Sequence, residues 1–257
     1  MQKLFFIFIS LIIGCSAVAQ KQSKKDKRDQ NKKRVDALIR QEEEGVIAYK
    51  KHTVYGGKLI NRGYGAFLEF GRMNSVKKGM LYQLEISEYK SLNQEKQSYL
   101  FRTPFIYGKE NFFYPVKLGV QQQLLLGNKS NKNGVSITAN YGGGISLGLL
   151  RPYYVQLGNA GDFVKFQSAD SLSFLDPNAV SSGPGFSKGW NDLTVTPGAY
   201  LKTALRFDYG SYNEIVSALE VGISADMYSK KIPLMVHTAP KQFFFTGYVA
   251  IVFGRRK

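Results

Sequence analysis

Residues 213–231 read NEIVSALEVGISADMYSKK, and their alternation constrains the chain more than any other feature. Wound as a helix at about 100° per residue, Glu214, Glu220 and Asp226 fall roughly 120° apart. Every face then carries an acid, and no apolar stripe is left to bury. Extended, the same residues separate cleanly. Ile215, Ser217, Leu219, Val221, Ile223, Ala225 and Met227 share one face, while Glu214, Val216, Ala218, Glu220, Gly222, Ser224 and Asp226 share the other. A two-faced strand follows.

The pattern recurs at 64–73, 80–89, 112–126, 134–150, 193–210 and 242–253. Period-2 segments of this length between turn residues predict antiparallel β throughout. Connections near 74–79, 128–133 and 210–213 are short, and those near 90–110, 158–192 and 230–241 are long. Outer-membrane barrels keep short turns on the periplasmic side and long loops outside. The segment 64–73 must then run inward, so an outward strand has to precede it. HTVYGGKLI (52–60), turning at Asn61-Arg62-Gly63, supplies that eighth strand and brings both termini to one side.

A soluble barrel also has two-faced strands, with its polar face outside. Such a face needs dense charge to stay soluble. Here the polar face of 134–150 is Ser, Thr, Asn and Gly, with no charge. Small side chains suit the crowded lumen of an eight-stranded barrel. The charges on the polar faces are of both signs: Glu69, Glu85, Lys117, Lys202, Arg206, Asp208, Glu214, Glu220 and Asp226. They are expected to neutralise one another across the lumen. The apolar faces end in aromatics such as Tyr64, Phe70, Tyr82, Phe112, Tyr209 and Phe243, as a lipid-facing band with interfacial girdles does. The expected fold is therefore all-β, an antiparallel up-and-down transmembrane β-barrel of eight strands.

The N-terminus fits export. Lys3, the apolar run Leu4–Ile13 and Ala17-Val18-Ala19 form a signal peptide over 1–19. IIGC (12–15) offers the alternative of lipoprotein cleavage before Cys15. Cys15 is the only cysteine, so the mature chain has no disulfide to hold it together. A basic segment spans 20–45; within residues 21–40, nine Lys or Arg against three Asp leave a net charge of +6. It reads as a solvated helical or disordered tail, or as an arm for an anionic partner such as lipid head groups or an acidic protein. Export and the lack of interleaved aromatics argue against nucleic acid. The barrel takes the remaining residues, 46–257.

The AVAQ signal end, strands such as TPGAYLKTALRFDYG and the closing FFFTGYVAIVFGRRK resemble the small eight-stranded outer-membrane β-barrel proteins of Bacteroidetes over about 45–253. The resemblance implies the architecture and an outer-membrane location. A terminal aromatic usually signals barrel assembly in such proteins; here Gly-Arg-Arg-Lys follows Phe253. It implies no activity.

Motifs of chemistry fare poorly. GISLG (144–148) matches a nucleophile elbow, yet Ser146 lies mid-strand rather than at a strand-to-helix turn. Asp208 or Asp226 and His237 would have to complete a triad, and His237 falls in a loop. YGGGISLG lacks the third glycine of a dinucleotide fingerprint, and GNKSNKNG reads as a turn. Two distant His and no mature Cys give no metal cluster, and no cofactor is expected. His52 reads as a hydrogen-bonded interior residue. Lipid A-modifying barrels need a His-x-Ser pair or an outer-loop His with polar partners, and VHTAP around His237 lacks them. The aromatic-rich loop 158–192, with Phe163, Phe166, Phe174, Phe186 and Trp190, is either packed over the barrel mouth or a surface for a partner protein or glycan. The sequence thus points to a non-enzymatic envelope barrel, structural or an interaction subunit, in contact with outer-membrane lipid and lipopolysaccharide. A lipid-modifying enzyme and a narrow channel are the alternatives.

Overall fold

A computed structural model describes Asn31 and residues 49–257, apart from 76, 92–93, 95, 98–103, 130–133, 159–162, 167–173, 177–178 and 211–213. The signal segment and the basic tail lie outside the described residues. Eight strands close into a barrel: β1 Lys51–Ile60, β2 Gly63–Met73, β3 Lys78–Tyr89, β6 Asn111–Gly127, β7 Ser136–Pro152, β11 Thr194–Asp208, β12 Ile215–Ile232 and β13 Lys241–Arg256. Each pairs antiparallel with its neighbours in sequence, and β1 pairs β13 to shut the seam. Short strands decorate the loops: β4 Lys96–Gln97 with β5 Phe105–Ile106, and β8 Tyr154–Leu157 between β9 Phe163–Lys165 and β10 Val180–Ser182.

The closure is quantitative. From Ile60, paired residues run through Tyr248, Gly222, Ala204, Asn140, Gln123, Gly79 and Met73, and Met73 N–H then bonds to Lys50 C=O. The circuit therefore returns to β1 ten residues below its start, a shear of ten. Eight strands with this shear tilt by about 40° and leave a backbone radius of roughly 8 Å, which side chains fill.

Alternation fixes which face meets what. Outward residues such as Leu59, Leu201, Ile145, Phe243 and Phe245 are 57–71% exposed, while inward neighbours such as Lys58, Lys202, Ser146 and Phe244 are buried. A soluble protein does not present so continuous an apolar belt to water; this is a membrane-type barrel, polar inside and apolar outside. Tyr55, Phe70, Tyr82, Tyr141 and Phe253 ring the end that carries the termini. No helix among the described residues is long and apolar enough to cross a membrane.

The opposite rim is uneven. The β1–β2 turn is only Asn61-Arg62, followed by Gly63 at φ 153°. A side chain there would strike the Glu88 carbonyl, so the turn requires glycine. The other connections on this side are long and meet in a cap. Phe105, Tyr153, Val155, Phe174 and Val180 form its core, Ile106 N–H donates to Tyr153 OH (2.8 Å), and Lys109 bridges to Met235.

Candidate functional site

Inward positions at mid-barrel bring four cations and four carboxylates together, all at most 4% exposed. They sort into two neutral clusters. In one, Arg206 contacts Glu69 and Glu220 at 2.5 Å each, and Lys202 lies 3.0 Å from Glu220 and 3.8 Å from Glu69. In the other, Lys117 sits 2.6 Å from Asp226 and 3.6 Å from Glu85, and Lys58 pairs with Glu85. Gln83 joins them, accepting from Lys202 (3.4 Å) and donating to Glu85 (3.3 Å). Tyr248 donates to Glu220 (2.7 Å), Asn140 to the same carboxylate (3.3 Å), and Tyr89 to Asp226 (3.1 Å). Desolvating an ion costs several kcal/mol even after relaxation, and close pairing with added hydrogen bonds offsets that cost here.

An aromatic layer meets this plug. Tyr89, Phe113, Tyr228 and Phe244 pack with ring centroids 5.3–5.8 Å apart. All four are inward residues, and Tyr89 belongs to both layers through its hydroxyl. Toward the termini, Asp208 binds Arg256, lies 3.7 Å from Lys129 and caps the Gly210 N–H (2.9 Å). A cavity of about 30 Å³ beside it touches His52 and Arg206, room for only a water or two.

Seven of the nine residues named from the sequence meet in the mid-barrel clusters: Glu69, Glu85, Lys117, Lys202, Arg206, Glu220 and Asp226. Asp208 is buried but belongs to the separate cluster at the terminal rim. Glu214 requires a correction. It is exposed in the turn before β12, where its carbonyl accepts from Arg256 N–H. Alternation extrapolated one residue past the strand's start placed it inside. Lys58 was overlooked, although it shares the parity of His52 on β1. Gln83, Tyr89 and Tyr248 were overlooked because neutral side chains do not announce themselves as parts of a charge network. His52 is interior, as expected, but its Nδ1 meets no hydrogen-bond partner among the described residues; its ring stands edge-on to Tyr49 at 5.4 Å.

Ser146 exchanges a hydrogen bond with Tyr228 (2.8 Å), and His237 stacks on Tyr107 in the loops. No cluster of three or more His, Cys, Asp or Glu fit to hold a metal occurs among the described residues. In the long loop, Phe174 joins the core of the cap with Phe166 against it. Phe186 and Trp190 instead cover Arg151 on the outer wall. Arg151 donates to the Phe186 carbonyl (2.6 Å) and lies over the Phe112 and Trp190 rings at 4.1 and 4.9 Å. Within the cap, Lys109 donates to Gln94 (2.9 Å), and burial pulls its ammonium down to about 8.

No family model and no curated protein matches the chain. Solved structures with a similar course include Neisserial surface protein A, at 11% identity and TM-score 0.37, covering 81% of this chain and 96% of that one. Another is Ail, the attachment invasion locus protein of Yersinia pestis, at 8% identity and TM-score 0.38, covering 82% and 100%. The N-terminal β-barrel domain of OprF from Pseudomonas aeruginosa follows at 9% and 0.36, covering 80% and 98%. The eight-stranded barrel rests on the strand pairing of this chain rather than on these likenesses.

Proposed function

We propose that this chain is an integral barrel of the bacterial outer membrane, without chemistry of its own, serving as a structural or interaction subunit of the cell envelope. One observation carries the reading: two neutral ion clusters and an aromatic layer fill the lumen from wall to wall. A filled lumen supports neither a general pore nor a substrate tunnel. Ser146 is held by Tyr228 inside the wall, and His237 stacks on Tyr107 in an outer loop, which counts against the enzyme alternative. Outer-membrane lipid and lipopolysaccharide surround the apolar belt. A protein partner would engage the basic tail 20–45 or the loop 158–192. The export segment 1–19, cleaved near Ala19, and the likeness to the Bacteroidetes group belong to this proposal.

Four measurements test it. Unboiled protein on an SDS gel should run as a heat-shifted band; a chain that stays soluble without detergent refutes the membrane barrel. Lipid A mass spectra of a deletion strain should match the parent, and a changed profile would restore the enzyme. Planar bilayers should stay silent, and discrete conductance steps would restore the channel. Crosslinking from native membranes, with residues 21–40 present and then deleted, reads the partner.

A further inference from the structure

The barrel wall is cut low at β1 and β2. Asn61 N–H bonds to the Gly247 carbonyl, and above that point β13 continues for six more residues, Lys241–Thr246, with no strand beside it on this edge among the described residues. At 40° tilt this overhang rises roughly 14 Å above the β1–β2 turn. On the far side, β3 ends at Tyr89, level with Gly63. The result is a lateral notch about two strands wide. Phe243 and Phe245, 66% and 64% exposed, still present apolar surface on the overhang. Within the notch, cations and hydroxyls stand among apolar residues.

A cavity of about 90 Å³ at the notch is lined by Arg62, Ser91, Thr238 and Lys241 with apolar residues around them, and among the described residues no carboxylate lines it. Arg62 Nε is buried and meets no acceptor among the described residues. A guanidinium with a dry, unused donor beside a polar cavity is set for an anion. Its neighbours set the level. Tyr64 donates to outward-facing Glu88 (2.5 Å), and Lys90 lies 4.9 Å over the Tyr64 ring. These polar groups stand at the foot of the exposed apolar overhang. The cavity therefore joins an exposed apolar overhang to the cations Arg62 and Lys241.

We propose that the notch seats the phosphate of an outer-leaflet lipid, with Arg62 and Lys241 on the phosphate, the Ser91 and Thr238 hydroxyls as donors, and Phe243 and Phe245 along an acyl chain. This rests on the membrane reading of the apolar belt, which the heat-shift gel tests by itself. Native mass spectrometry of the detergent-solubilised full chain provides the assay, with bisphosphorylated lipid A, dephosphorylated lipid A and inorganic phosphate as probes. Bisphosphorylated lipid A should be retained, and the double variant Arg62→Ala/Lys241→Ala should weaken it roughly thirtyfold, about fivefold per cation. Lys230→Ala/Lys231→Ala removes two exposed cations outside the cavity and should leave retention unchanged. Equal retention of the dephosphorylated lipid, or equal loss in both double variants, overturns the proposal. So does inorganic phosphate displacing the lipid at equimolar concentration, which would mark a site for a free anion. Heat-shifted bands for both variants establish that they fold.

Discussion

Replacing Arg206 by Met isolates the energetics of the plug. Arg206 is 3% exposed and holds Glu69 and Glu220, leaving Lys202 as their only other cation among the described residues. Its loss turns a neutral cluster into one with an excess negative charge in a space with room for no more than a water or two. Breaking a buried ion pair from one side costs about 3–5 kcal/mol, most of it the cost of the stranded partner. Removing the excess charge should recover most of that. Arg206→Met with Glu220→Gln restores neutrality, and the cycle should show a coupling of about 2 kcal/mol or more. Urea titration in lipid vesicles, read by the heat-shifted band, measures each variant. If Arg206→Met alone unfolds with the parent, or if the second substitution adds to the loss, the clusters are not neutral units and the account of the plug fails.

Other outcomes follow from the same geometry. Leu201→Arg on the outer face should cost about 2–4 kcal/mol near the bilayer midplane, whereas the same change at exposed Glu214 should shift the urea midpoint little. Phe113→Ala, beneath three other rings, should cost about 3–5 kcal/mol in the same titration. Lys109 binds its proton less tightly folded than unfolded, so stability should rise with pH between about 8 and the unfolded value near 10.5. Titrations at pH 7.5 and 9.5 should show a larger rise in the parent than in Lys109→Met, and equal rises would refute the assignment.

Alternation made the eight strands readable because a membrane barrel has one rule for every strand: apolar to lipid, polar to lumen. The parity that exposed Leu219 also buried Glu220. It failed at Glu214 because alternation carries no end signal, and the strand begins one residue later. Lys58 was open to the same reasoning as His52. The aromatic layer was harder to foresee. Parity puts Phe113 and Phe244 on the lumen faces of their strands, but it does not show that they meet, because their contact joins strands 131 residues apart across the lumen. Trp190 over Arg151 lay further out of reach, since the contact joins a loop to a strand 39 residues before it.

The low wall, the overhang and the cap depend on a shear of ten, and alternation by itself cannot choose that number. A slip of two residues at the β1–β13 seam keeps every side chain on its proper face and gives a shear of eight or twelve. The ion pairs can tell these apart. Arg206 on β11 reaches Glu69 on β2, and Lys117 on β6 reaches Asp226 on β12. A two-residue slip moves one side of the seam by about 7 Å relative to the other, beyond the reach of contacts such as the Lys58 ammonium over the Tyr248 ring, which spans the closing strands at 4.9 Å. The charges in the lumen thus act as a combination lock on closure, admitting one even register among several that hydrophobicity would accept.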